Sequence, residues 1–366
     1  MSGVARAPST AAATAFFHRV HCFPRVERIH SMTLALLVKR ALWALPTLLG
    51  VMVVVFVLLR VAPGDPVAMM IAPGATPEDI ASLRALYGLD QPIPTQFAYY
   101  LRDVLGGNFG SSISRKQPVI ELIAQRLPLT LELSLVATLL ALLLGVGAAL
   151  LATQGRGRWV ERGVDAATGI VTAIPDFLWG LLGILLLGVV LPWLPVFGLM
   201  DSDLRFEAAS GFVIVESLVR GRFDVLGSVL WHLLLPAFAL ALPLAAMVAR
   251  VLKASLVEVL AQDYILIARV KGFSPWQVLW REALRNALSP ALTLAGVQFT
   301  FLIGGTVLIE KLFGLPGLGN MAIDAVTSRD LPLIQGIVLT FALIFIAVNL
   351  AVDALNSALN PRLREH

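Results

Sequence analysis

The side chain with the clearest chemical potential in the apolar part of this chain is Asp176, which follows Pro175 about twelve residues into a long hydrophobic stretch. A carboxylate at such a depth is costly unless it faces a bundle interior or a water-filled path. Proline interrupts helix hydrogen bonding, so Pro175 would bend the helix and free a carbonyl nearby. We expect Asp176 and Pro175 to line a translocation path. The alternative is that Asp176 hydrogen-bonds a neighbouring helix and only fixes packing.

Other kinds of site chemistry find no matching pattern. No lysine follows a glycine, so the phosphate-loop motif Gly-x-x-x-x-Gly-Lys-Ser/Thr is missing. The five histidines lack metal-ligand spacing, and Cys22 is the only cysteine. The sequence therefore predicts no catalytic, metal or cofactor site. Uphill transport would need an ion gradient or a separate motor protein, and one central carboxylate is a thin basis for a proton relay.

A second informative segment runs from Asp263 to Gln277 and contains dense helix stop and start signals. Gly272 suits the left-handed position that follows a helix C-terminus. Ser274 is a natural N-cap, Pro275 fits the first helical position, and Gln277 completes a capping box. These signals predict two short helices joined at a rigid corner, which another protein could grip.

The elements that must position these residues are membrane helices. The chain is 58% hydrophobic and 14% charged, and its mean hydropathy is +0.83, far outside the range of soluble proteins. A bilayer is crossed by about 20 apolar residues. We predict an all-α membrane protein with six transmembrane helices, at 41–61, 129–151, 164–191, 233–252, 288–309 and 333–355.

The distribution of lysine and arginine predicts the orientation of the spans. Basic residues cluster before the first span, between the second and third, between the fourth and fifth, and in the C-terminal tail. These segments all fall on one side, so we expect that side, with both termini, to be cytoplasmic. The net charge of +4 is then a topology signal, and no nucleic-acid partner is predicted because no single soluble face collects the basic residues.

The remaining segments predict a tail and a folded outer layer. Residues 1–31 precede a second methionine, Met32, and we expect a disordered tail or an upstream mis-start there. The loop of about 63–128 carries its own helix signals, with a helix from Thr95 to Leu105 ending at Gly106. We expect a small outer subdomain that docks a soluble partner.

Several strings, in this order, resemble the permease subunits of ABC importers of the dipeptide/oligopeptide/nickel family. The resemblance covers nearly all of 32–366. The strings are Leu59–Pro66, Tyr87–Phe97, Gly106–Ser112, Arg126–Ser134, Asp263–Gly272, Ala283–Pro290, Phe313–Gly319 and Asn360–Arg362.

The resemblance implies a type I ABC importer permease fold in the bacterial inner membrane. It also implies a second homologous permease subunit, two cytoplasmic ATPase subunits and a periplasmic solute-binding protein as partners, besides membrane lipid. The cytoplasmic coupling loop of the family maps onto about 253–286. Its ATPase-coupling positions are Asp263, Tyr264, Leu266, Ala268, Arg269, Lys271 and Gly272. Leu266 departs from the family, where a charge is frequent, and suggests an apolar contact.

Two other classes of function stay open at this stage. An ion-coupled secondary transporter would use Asp176, and a membrane-embedded enzyme would need a catalytic arrangement that the sequence does not contain. Within the importer interpretation the cargo could be a dipeptide, an oligopeptide, nickel, glutathione or another small solute. The sequence does not choose among these, because the binding protein would set most of the selectivity.

Overall fold

The computed structural model describes residues 42–58, 76–78, 81–82 and 90–359. The expected tail at 1–31, most of the first part of the outer loop and both chain termini lie outside these residues. The strings Leu59–Pro66 and Asn360–Arg362 lie outside them as well.

The described residues form helices joined by turns and loops. The first half of the chain contains α1 (Leu42–Leu58), α2 (Ile93–Leu105), α3 (Val119–Gln154), α4 (Trp159–Ala173) and α5 (Asp176–Val190). The second half contains α6 (Val213–Val219), α7 (Phe223–Leu260), α8 (Asp263–Val270), α9 (Pro275–Leu312), α10 (Leu318–Thr327) and α11 (Leu331–Leu359). Two segments have π-helical hydrogen bonding, Ile184–Val190 in α5 and Val278–Ala283 in α9.

Each predicted span falls on a helix, but the helices differ in their capacity to cross a membrane. Among the described residues α3, α7, α9 and α11 are long and apolar enough, and α4 with α5 adds a fifth span if the bent pair counts as one. α1 is apolar but shorter over its described length. The all-helical membrane architecture is therefore confirmed with four to five apolar spans.

Several helices extend well beyond the predicted spans. α7 has 38 residues, or about 57 Å at 1.5 Å per residue, whereas the hydrocarbon core is about 30 Å thick. Prolines lie inside α3, α7 and α9 without ending them. Hydropathy predicts only the part of a helix that lies in lipid. It therefore did not predict the residues that extend these helices at either end.

The centre of the fold is the packing of α3 against α7. Gly145 of α3 makes the close approach possible, because a Cβ there would lie 2.7 Å from Val248 Cγ1 and 2.8 Å from the Ala245 carbonyl oxygen. Small residues are the usual means by which membrane helices approach closely. A Cβ on Gly147, two residues further along α3, would have no neighbouring atom within 4 Å.

Part of the outer layer is also folded. α2 ends at Gly106 as predicted, and Gly107 has a left-handed φ of 78°. Phe56 of α1 is buried and contacts the rings of Phe97 and Tyr100, with ring centroids 5.2 and 5.7 Å away. α2 is thus attached to the end of α1 by an aromatic cluster.

Candidate functional site

The corner between α8 and α9 has the backbone geometry that the sequence predicts. Gly272 has φ 85°, and a Cβ there would meet nothing within 4 Å. The Gly272 N–H donates to the Arg269 carbonyl at 3.0 Å, and the Phe273 N–H donates to the Ala268 carbonyl at 3.3 Å. This pair of bonds is a Schellman motif.

The helix start that follows is capped from both directions. The Ser274 hydroxyl accepts from the Gln277 N–H at 3.3 Å, and the Gln277 side chain accepts from the Ser274 N–H at 2.9 Å. The capping box is therefore confirmed. The predicted second short helix differs, because it continues through the π-helical segment directly into the long helix α9.

The inner face of α8 is buried against the neighbouring helices. Ile265 and Ala268 are 1% and 6% exposed, and the Tyr264 hydroxyl accepts a hydrogen bond from Asn286 Nδ2 at 2.8 Å. Ala268 therefore faces inward, away from any partner that would contact the corner. Tyr264, partly exposed, ties α8 to the beginning of α9.

The outer face of α8 is apolar and unoccupied in the described chain. Leu266, Ile267 and Val270 are 62%, 57% and 80% exposed. Trp276 and Trp280 continue this apolar surface with their rings stacked at a centroid distance of 6.1 Å, and both are about half exposed. An exposed apolar patch of this kind marks a protein or membrane contact.

The loop proper is shorter than the predicted 253–286. α7 continues to Leu260 and α9 begins at Pro275, so only α8 and its flanking turns stand between the two long helices. Lys253, expected in the loop, lies within α7 and binds Glu161 and Asp165 of α4 at 2.8 and 2.7 Å. The charge of Lys253 favoured a loop in the sequence, but its ion pairs hold α7 against α4.

The helix break at Pro175 is confirmed and is large. α4 and α5 are bent by 101° at the break. The Val171 carbonyl, which lies four residues before Pro175 and cannot receive its bond, accepts instead from Trp179 Nε1 at 3.3 Å. The carbonyl that Pro175 frees is thus satisfied by an indole from the first turn of α5.

Asp176 is the first residue of α5, where a carboxylate interacts favourably with the helix dipole. Its Oδ1 accepts from the Phe177 N–H at 2.7 Å. Its Oδ2 faces α9, since it would lie 3.1 Å from a Cβ placed on Gly305. The side chain is partly exposed. Asp176 therefore sits at the meeting point of α5 and α9 with one carboxylate oxygen directed at a glycine.

A buried polar network joins the first third of α3, the end of α9 and the start of α10. Glu310 is fully buried and accepts from the Thr130 hydroxyl at 2.7 Å and from the Asn320 N–H at 2.9 Å. The Thr130 hydroxyl in turn accepts from the Leu318 N–H at 2.8 Å. A Cβ on Gly317 would overlap the Glu310 carboxylate, so this glycine makes the approach possible.

Glu132 performs a similar task two residues after Thr130 on α3. Its carboxylate accepts from the N–H groups of Val213, Ile214 and Val215 at 3.1, 2.9 and 3.2 Å. It is 5% exposed. Acids near the ends of apolar spans can reach the membrane interface, but Glu132 and Glu310 are buried. They bind N–H groups at helix starts that have no partner within their own helix.

Asp330 links the loop before α3 to the start of α11. It is fully buried, caps α11 through the Leu333 N–H at 3.2 Å, and accepts from the Ser114 N–H and hydroxyl at 2.9 and 2.7 Å. Burial raises the pKa of Asp330, but hydrogen bonds from Ser112, Ser114 and the Ile113 N–H outweigh it and hold the pKa below its ordinary value.

Comparisons with known proteins agree with one another. Residues 126–365 match the family described as binding-protein-dependent transport system inner membrane component. Residues 33–134 match the N-terminal family of the same transport system membrane components. The second match includes the outer loop and the start of α3.

Relatives of nearly full length are similar along most of the chain. A probable peptide ABC transporter permease protein of Sinorhizobium fredii is 35% identical over 328 residues, 90% of this chain and 98% of the relative. A glutathione transport system permease protein of Escherichia coli (strain K12) is 38% identical over 330 residues, 89% and 98%.

Among solved structures, the MetNI methionine ABC transporter in inward-facing conformations is similar with a TM-score of 0.47 and 17% identity. The similarity covers 66% of this chain and 97% of that chain. The match of residues 126–365 to the family begins within α3 and continues through α11. This chain belongs to the family of binding-protein-dependent transport system inner membrane components.

Proposed function

We propose that this chain is the membrane-spanning subunit of an ATP-driven importer that moves peptides, or a similar small solute such as glutathione, across the inner membrane. The relatives named above are peptide and glutathione permeases, and the family works with a separate binding protein. The remaining parts of the proposal are six spans with both termini in the cytoplasm, a second homologous permease and two ATPase subunits.

The corner at Gly272 carries the coupling part of this proposal. Two long apolar helices, α7 and α9, both end at α8. The Schellman motif and the capping box fix the direction of α8 relative to α9, and the two residues Ala261 and Gln262 join α8 to α7. A movement imposed on α8 by a partner is therefore transmitted to both helices with little loss in flexible backbone.

We assign the contact with an ATPase subunit to the exposed residues of the corner, Asp263, Leu266 and Lys271. Arg269, also exposed, borders the space behind the corner and acts from that side. The apolar side chains beside Leu266 extend this contact. Tyr264 and Ala268 act from the inner face by holding α8 in place, and Gly272 acts by its conformation. Leu266 would enter an apolar groove of the ATPase rather than form an ion pair.

The proposal is tested by separating the motor from the membrane subunit. The purified chain should hydrolyse no ATP, and solute-stimulated hydrolysis should appear only when the second permease, the ATPase subunits and the binding protein are reconstituted with it. Robust hydrolysis by this chain alone would contradict the proposal. Uptake by this chain alone, driven by an imposed ion gradient, would favour the secondary-transporter alternative that uses Asp176.

The path assignment of Asp176 and Pro175 rests on the break between α4 and α5 and on the Oδ2 atom that faces Gly305. Asp176→Asn retains size and hydrogen bonding but removes the charge. If Asp176 lines the path, transport of cationic cargo should fall more than transport of neutral cargo. An equal and small loss for both would instead support a packing role, as would a cysteine in Asp176→Cys that no water-soluble thiol reagent reaches.

A further inference from the structure

A cavity of about 500 Å³ lies behind the corner, where the ends of α3 and α7 meet the beginning of α9. Its walls are mostly apolar and include Val257, Leu260 and Phe273. Its polar edge carries two arginines, Arg156 from the turn after α3 and Arg269 from α8. A volume of this size is in the range of small-molecule binding sites.

The charges around this cavity are one-sided. No aspartate or glutamate lines it. Within the described residues neither Arg156 nor Arg269 has an ion-pair partner among the salt bridges of the chain, which engage other cations. Glu161 feels the charge of Arg156, but it is bound to Lys253 at 2.8 Å and to the Gly157 N–H at 2.6 Å. Two exposed guanidinium groups, neither in an ion pair among the described residues, therefore border an apolar space.

Two cations beside apolar walls match the chemistry of an anionic amphiphile. Guanidinium groups bind phosphate oxygens with paired hydrogen bonds. Basic pockets between membrane helices on the cytoplasmic side bind the headgroups of anionic lipids. A free phosphate would satisfy the arginines but leave the apolar walls of a space this large without contacts.

We propose that this cavity binds an anionic phospholipid of the cytoplasmic leaflet, with its phosphate between Arg156 and Arg269 and its glycerol and first acyl carbons against the apolar wall. The assignment to that leaflet rests on the proposed orientation of the chain. Because Arg269 and Phe273 belong to the corner, the lipid braces the corner against the ends of α3 and α7. Anionic lipid then supports the rigid coupling on which the proposed function depends.

The test counts lipids on the assembled importer. The complex is reconstituted in nanodiscs of phosphatidylcholine with phosphatidylglycerol, released, and weighed by native mass spectrometry. The wild type should retain at least one more phosphatidylglycerol than Arg156→Gln or Arg269→Gln. Arg158→Gln is the control, because Arg158 is exposed nearby and does not line the cavity. Equal phosphatidylglycerol retention in all variants would overturn the proposal.

Two further measurements test the proposal even if a variant does not assemble. The wild type itself should retain phosphatidylglycerol in preference to phosphatidylcholine, and equal retention of the two would contradict the proposal. Inorganic phosphate added to delipidated complex should not stabilise it against heat at millimolar concentration. If phosphate stabilises the wild type but not Arg156→Gln, the site serves a soluble anion and the lipid assignment is wrong. Lipid counting does not depend on uptake, so its failure is distinguishable from failure of the proposed function.

Discussion

At the scale of single residues, the corner requires a backbone conformation that residues with a Cβ atom rarely adopt. Gly272 has φ 85° with nothing near its missing Cβ, so its requirement is conformational and not one of space. Such positions were predictable, since a glycine followed by Ser274 and Pro275 is a local signal that needs no tertiary context.

We predict that Gly272→Val strains the corner by about 1 kcal/mol or more, because a β-branched residue is disfavoured in the left-handed region. The variant should insert normally, but ATP hydrolysis should become uncoupled from uptake in the reconstituted importer. Gly157→Val is a matched control, since Gly157 has φ 76° and an equally open surrounding in the turn between α3 and α4. Wild-type uptake by Gly272→Val, or equal uncoupling in the control, would remove the argument.

The carboxylates show the limit of local reasoning at this scale. Glu132, Glu310 and Asp330 look alike in the sequence, as acids near span ends, yet each joins segments that are distant in the chain. Their partners across these distances are main-chain N–H groups and hydroxyls, and nothing in the sequence pairs them with a particular carboxylate. The string around Thr130 and the string at Gly317 were visible, but nothing in either indicated that they meet.

At the scale of elements, buried polar contacts fix the starts of α10 and α11 beside the apolar cluster that these helices form with α3. α10 is held at its start by Glu310 and Thr130. α11 is held at its start by Asp330, which also binds the loop before α3. A buried donor or acceptor that loses its partner costs about 1–3 kcal/mol, and more when the group is charged. These junctions should therefore be sensitive to single atoms.

We predict that Thr130→Val destabilises the protein by about 2–4 kcal/mol, because it removes one donor from the buried Glu310 carboxylate, which retains the Asn320 N–H, and deprives the Leu318 N–H of its acceptor. Thr138→Val is the matched control. It is buried on the same helix, but its hydroxyl only donates to the Ser134 carbonyl within that helix, so its replacement should cost less than about 1 kcal/mol. Thermal unfolding in detergent measures both, and similar losses would contradict a special role for Thr130.

The junction at Asp330 predicts a dependence on pH. Its pKa is lowered in the folded protein, so its contribution to stability is present above the unfolded pKa of about 3.9 and is lost as pH falls through the lower folded pKa. Asp330→Asn should therefore be less thermostable than wild type at pH 7, and the difference should shrink below about pH 4. The exposed Asp203→Asn should differ little from wild type at any pH.

The shrinking difference identifies the charged form of Asp330 as the stabilising one. A difference that stays constant from pH 7 to pH 3 would show that Asp330 acts by shape or by a hydrogen bond that asparagine cannot make. A larger difference at low pH would reverse the sign and would contradict the lowered pKa.

At the scale of the whole molecule, hydropathy predicted where helices lie but not how they break or extend. Pro175 predicted a bend. The bend of 101° between α4 and α5 is larger than a kink within one continuous helix. The length of α7 beyond the membrane could not be predicted, because its last turns are stabilised by contacts of Lys253 with α4. The cavity behind the corner likewise arises only when three distant helix ends meet.

The orientation of the molecule is the property that the helices alone do not determine, and basic residues predict it. The turn between α3 and α4 carries Arg156 and Arg158, and Arg162 follows in the first turn of α4, whereas the segment between α5 and α6 carries Asp201 and Asp203. We expect the first segment in the cytoplasm and the second outside. In a Cys22→Ser background, which removes the only native cysteine, single cysteines introduced by Arg158→Cys and Asp203→Cys report on the two sides.

A membrane-impermeant maleimide applied to spheroplasts should label the Asp203→Cys protein at once, because that position is exposed on the outer side. It should label the Arg158→Cys protein, equally exposed in the structure, only after the membrane is permeabilised. The opposite pattern would invert the molecule, and α8 would then face away from any cytoplasmic ATPase. Because coupling through the corner requires α8 in the cytoplasm, this single labelling experiment decides whether the proposed contact is geometrically possible.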